Sequence, residues 1–320
     1  MAQRFTYFEI QNTTTDLSMV EWPYVDHDAK STRAVVYCDK PVQIDGDLWV
    51  GMLDEELTKW VLDGTEPPGR NYVPTRQFPG GYAFIRTNPP ASKADQGDFD
   101  PDTRLRSAIA LSRLVHPTSI CFDHSVRIRT WGKPRDQWQL VPHTEAGTGE
   151  HAFVLDVNEN WLIPADISAI ADLIKAWNPT TIPTRVGVAL WHHEMAARTY
   201  YSDIRWPLLV TGLESLVRIK NEKDKKGAPI GSTRAFVSRL AAIGRLDPSL
   251  AVSDPDLRVM YEKRSDLVHA LALMAMDEPT KALYRKLDGL VRGILRKAIL
   301  NPVFAALFAT DQSISTAFPV

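Results

Sequence analysis

Only two cysteines, Cys38 and Cys121, occur in 320 residues, too few for a disulfide scaffold and without metal-ligand spacing. That usage suits a reducing cytoplasm. No stretch approaches the roughly 18 apolar residues that a membrane span needs. The opening Met1-Ala-Gln-Arg-Phe-Thr-Tyr-Phe-Glu9 lacks the apolar run of a secretory signal. A cytoplasmic protein without a membrane partner is therefore expected. No Gly-x-Ser-x-Gly elbow and no glycine-rich phosphate loop is present. His192-His193-Glu194 lacks the i, i+4 histidine pair of a zinc helix and is expected to be a solvated helix face. His116, His124, His143 and His151 are scattered, so no metal and no cofactor is expected.

What is present is ordinary for a globular chain, with 44% hydrophobic and 24% charged residues. The length leaves room for one large or two ordinary domains. The formal charge of -2 hides an asymmetry. Residues 1–179 carry 17 Lys/Arg against 25 Asp/Glu, whereas residues 180–300 carry 20 against 13. The basic half suits a polyanion, or the acidic half of the same chain.

The N-terminal half is rich in turns. Runs of β-branched and aromatic residues predict strands at 4–10, 33–38, 48–52, 81–86, 119–130 and 151–156. Pro67-Pro68-Gly69, Pro79-Gly80-Gly81 and Pro89-Pro90 separate them. Amphipathic helices are predicted over 102–115 and 166–177, the first led in by Asp100-Pro101-Asp102. Tryptophans at 22, 49, 60, 131, 138 and 161 are expected to fill a core here. The break Asn178-Pro-Thr-Thr-Ile-Pro-Thr184 predicts a boundary, with a mixed α/β domain over 1–180 and a helical bundle over 181–320. The fold class expected is thus α+β.

Beyond the break the period is helical almost throughout. Residues 186–219 predict one long helix or two stacked ones, kinked or divided at Pro207. A charged loop over 220–227 is expected to be solvated. Helices follow over 232–246, 254–274 and 278–300, the second opened by Ser253-Asp254-Pro255. On the helix from Asp254, the apolar stripe runs through Leu257, Met260, Arg264, Leu267 and Leu271. Arg264 stands where a leucine belongs, so it needs an acidic partner or an anionic ligand. His269 lies about 140° around the helix from it. A site using both sits at the stripe's edge, or is completed by a second copy of the helix.

The run Tyr261-Glu-Lys-Arg264-Ser-Asp-Leu-Val-His269 resembles the R-x(4–6)-H signature of HEPN domains, most closely the Apea-like group. Arg205-Trp-Pro-Leu-Leu-Val-Thr-Gly-Leu-Glu214-Ser-Leu-Val and Ser232-Thr-Arg234-Ala-Phe resemble two earlier helices of that group, in the same order. The resemblance covers about residues 185–300. It implies a homodimeric, metal-independent endoribonuclease of a prokaryotic defence or toxin-like kind, with RNA as substrate and a 2′,3′-cyclic phosphate as product. His269 would move the proton, and Arg264 would stabilise the phosphorane-like transition state. Glu214 or Asp266 would orient Arg264, and Arg234, Tyr261 and Ser265 would contact substrate. The alternative is a non-catalytic dimerisation or nucleotide/RNA-binding module. Ala270, where the group carries glycine, and Ser265, where catalytic members often carry a larger polar residue, speak for that alternative.

Overall fold

The computed structural model describes residues 4–10, 42–45, 48–53, 81–86, 101–117, 121–129, 139–144, 164–199, 201–224, 226–269 and 274–320. The chain divides into two compact units. The first lies before Ala176, and the second is principally Ala176–Val320 together with Arg113–Pro117.

In the first unit the described backbone includes short extended segments, at Arg4–Ile10, Val42–Asp45, Leu48–Leu53, Gly81–Arg86, Cys121–Arg129 and Gln139–Thr144, joined by ladder hydrogen bonds. It also holds helix α2, Pro164–Ala176, and most of helix α1, Pro101–Val115. The predicted strands over 33–38 and 151–156, and the expected tryptophan core, fall outside the described residues and side chains. The α+β expectation is corrected here. Outside these extended segments, the region that carries the fold is about three-quarters helical, with no strand or sheet, so an all-helical C-terminal region is what the structure supports. The reason is physical. A β-branched run fixes extended backbone locally, but a domain needs one face of those segments packed against another layer. The side chains of these segments lie outside those described, and the runs state only the local preference.

The second unit begins with a turn. The Asn178 side chain accepts from Thr180 N at 3.0 Å, and its carbonyl accepts from Thr181 N and Ile182 N. Pro183 then leads into α3, Thr184–Arg198, which folds back on α4, Ser202–Val217. The predicted division at Pro207 is corrected: Pro207 lies inside α4, and the two helices divide earlier, α3 ending at Arg198 and α4 starting at Ser202. Thr199 is extended, and its hydroxyl donates to Met195 O at 2.7 Å, which closes the end of α3. Gly212 lets the two helices meet closely, since a Cβ there would stand 3.4 Å from Ala189 O and His192 Cβ.

α5 (Ser232–Leu246) and α6 (Asp254–His269) follow, then α7 (Glu278–Leu300), α8 (Pro302–Ala306) and α9 (Asp311–Ala317). Ser253 Oγ accepts from Asp256 N at 3.3 Å at the start of α6, and Asp254 and Asp256 favour its positive end. Asp277 caps α7 by accepting from Thr280 N at 2.9 Å. Of the helix predicted over 254–274, the structure describes Asp254–His269 as helix, and 270–273 lie outside the described residues. The core gathers Leu209, Leu213 and Leu216 of α4, Leu240 and Ile243 of α5, Leu257 and Met260 of α6, and Val291 and Ile294 of α7, all buried. Trp206 is fully buried, and its indole N–H donates to Met260 O at 2.9 Å, tying α4 to α6.

Two arginines hold the end of α4. Arg239 is fully buried, donating to Val217 O at 2.8 Å and Phe318 O at 3.2 Å and pairing with Glu222. Arg185 donates to Ser215 O and Arg218 O. Both satisfy carbonyls that a helix end leaves open, with a cation where the dipole is negative. The loop after α4 is more ordered than a solvated charge run. Asp224 accepts from Lys226 N and Ala228 N through its side chain, and Ile230 N donates to Glu222 O. Asn221 and Gly227 take left-handed backbone, at φ 54° and 81°.

Candidate functional site

Arg264 faces Glu214 across the α4–α6 contact. Its Nη2 stands 3.4 Å from Glu214 Oε2, and the guanidinium lies 5.9 Å from the centre of the Tyr261 ring. The Tyr261 hydroxyl donates to Glu214 Oε1 at 2.9 Å. Glu214 thus accepts from Tyr261 and pairs with Arg264, and its side chain is only 8% exposed against 21% for Arg264. Burial, and the Glu214 carboxylate that it touches, push the Tyr261 phenol up; a hydrogen bond from Ser232 works the other way. The arginine is not saturated. At 3.4 Å its contact with Glu214 exceeds the roughly 2.7–2.9 Å of a good charge-assisted hydrogen bond. Its buried Nε has no acceptor among the described residues.

The other predicted residues separate into two groups. Arg264, Glu214 and Tyr261 come together as described. His269 is exposed in the last turn of α6, and Val268 beside it is 44% exposed. Asp266 is exposed and Ser265 half-buried, neither with a hydrogen bond or ion pair among the described residues, so Asp266 does not orient Arg264. Arg234 is exposed on the first turn of α5, away from any ion pair. A Tyr261→Phe variant is expected to lose about 1.5–3 kcal/mol in urea unfolding, the cost of a hydrogen bond to a charged, buried acceptor. A loss below about 0.5 kcal/mol would mean that Arg264 alone holds Glu214 in place.

A second polar cluster was not foreseen, and it corrects the reading of His192-His193-Glu194 as a solvated face. His193 and Glu194 are 3% and 7% exposed. Glu194 pairs with Arg113, which belongs to the same unit, and with Arg198 Nε at 2.9 Å. Burial alone would push its carboxyl up, but the charges and hydrogen bond of these arginines hold it below the usual range. His193 Nε2 lies 3.4 Å from Asp288 Oδ1, and Arg292 Nε donates to Asp288 Oδ2 at 2.7 Å. Arg205 donates to Ala196 O at 3.1 Å and to the Tyr284 hydroxyl. Burial lowers its guanidinium and raises the Tyr284 phenol. The signal in the sequence was the i, i+4 spacing of Glu194/Arg198 and Asp288/Arg292. The partners 79 to 95 positions apart left none.

Comparison with protein-family models, with curated proteins and with solved structures gives no match for this chain. Among the described residues, no helix is long and apolar enough to cross a membrane.

Proposed function

We propose that the helical region is a nucleic-acid-acting module, and within that class a metal-independent RNA endonuclease of the HEPN kind. The observation that carries this is the state of Arg264: it is anchored by Glu214, faces Tyr261, and still has donors without acceptors. An arginine held this way is preorganised for an anion, which would meet it at the exposed part of the guanidinium that Glu214 does not hold. His269 is the proton carrier. Because it lies about 140° around α6 from Arg264, a bond held by one copy's arginine is reached by the histidine of a second copy. Val268, one turn beyond Arg264 on the same face and uncovered, suits a helix that meets its twin. In this reading a homodimer forms, RNA is the substrate, and a 2′,3′-cyclic phosphate is left.

One observation favours the non-catalytic reading: Glu214 neutralises Arg264 within one copy. End-labelled RNA incubated with the full chain in excess EDTA separates the two. Cutting by the parent with cyclic-phosphate ends is expected, with about a 10²–10⁴-fold loss in His269→Ala. Equal cutting by both, or none by either under dimer-forming concentrations, removes the catalytic reading.

A further inference from the structure

Beside Glu214 lies a cavity of about 480 Å³, walled by the end of α4, the ordered loop after it and the first turns of α5. That volume lies within the ~300–1,000 Å³ of small-molecule sites. Its apolar lining includes Ile219, Pro229 and Ile230, which keep exposed surface, over the buried Val217 and Phe236. Four charged side chains line it, and they divide cleanly. Glu214 is engaged by Arg264 and Tyr261, and Glu222 by the buried Arg239. Arg218 and Lys220 are exposed and without an ion pair among the described residues. The acids are thus neutralised from behind, while both free charges at the mouth are positive. An apolar wall with unpaired cations at its rim favours an anion with a flat body over a cation or a neutral ligand.

We propose that this cavity seats one nucleotide unit, its phosphate on Arg218 and Lys220 and its base against the apolar wall. The choice of a nucleotide rests on the RNA reading above; the place of the site rests on the cavity. Two sources share this chemistry, a free nucleoside monophosphate and a nucleotide within an RNA strand. The strand source makes the cavity a subsite flanking the Glu214–Arg264 pair, since Glu214 belongs to both.

Titration calorimetry of the 320-residue chain with AMP, UMP, inorganic phosphate and a non-cleavable 2′-O-methyl tetranucleotide tests this, with the parent beside the Arg218→Ala/Lys220→Ala double variant. The expected result is saturable nucleotide binding that the double variant weakens at least tenfold. Both altered side chains are exposed, so unchanged melting of the double variant is expected beside it. Tighter binding of the tetranucleotide than of either monophosphate assigns the strand source; equal binding assigns the free nucleotide. No saturable binding at millimolar nucleotide, binding indifferent to the double substitution, or inorganic phosphate binding as well as AMP each overturns the proposal. Cleavage that fails while this binding holds counts against the endonuclease reading alone.

Discussion

Trp206→Ala is expected to cost the helical region about 3–5 kcal/mol, the range for emptying a large buried aromatic site. Trp206 is fully buried, packs 6.2 Å from the Tyr284 ring, and donates its N–H to Met260 O. Truncation removes apolar contact, opens a cavity and takes a donor from a carbonyl inside the bundle. Against a typical stability of about 5–15 kcal/mol, the helical signal in urea unfolding should shift strongly toward lower denaturant. Trp206→Phe keeps most of the volume and loses the donor, so a smaller loss of about 1–3 kcal/mol is expected. The two variants divide packing from hydrogen bonding. A small effect in both would mean that α4 and α6 are not joined through this residue, and the placement of Arg264 against Glu214 would need another support.

The second large effect concerns acid. Burial alone would push the Asp288 carboxyl up. His193 and Arg292 outweigh it through hydrogen bonds and charge, and bring it down to about 2 from an ordinary 3.8. A carboxylate whose pKa is depressed by folding lends stability in full above its unfolded value and loses it as pH falls through the folded one. The window is therefore about pH 4 down to pH 2, with stability falling as acid is added. A shift of that size corresponds to about 2 kcal/mol. Glu194, also held low, acts in the same direction. Asp288→Asn is expected to destabilise the bundle at pH 7 and to flatten the fall between pH 4 and pH 2. Parallel pH profiles for parent and variant in urea unfolding would remove Asp288 from this account.

Much of the helical region was legible. The spans Ser232–Leu246 and Glu278–Leu300 agree with the periodicity, because apolar stripes and proline starts are local signals. The pairing of Arg264 with Glu214 was also within reach, since an arginine on an apolar stripe demands a counter-charge. What failed was non-local. Nothing within a few residues of His193 or Asp288 shows that they meet, and Arg239 resembles any charged helix residue until its acceptors are known. Pro207 was given too much weight: it is the sixth residue of α4, where its missing N–H leaves the Asp203 carbonyl without the usual helical bond, yet the helix continues through it. In the N-terminal half, β-branched runs stated a backbone preference and nothing about what covers it.

The bond from Arg239 to Phe318 spans 79 positions of the chain. During synthesis at about 5–20 residues per second, the arginine is made about 4–16 s before that acceptor exists. Phe318 itself is 1% exposed, 5.9 Å from the Phe308 ring. The nascent bundle therefore carries an open seam until the segment that holds Phe318 leaves the ribosome. A chain cut short before Phe318 would leave its buried cation without that acceptor, and quality-control proteases would meet it in that state.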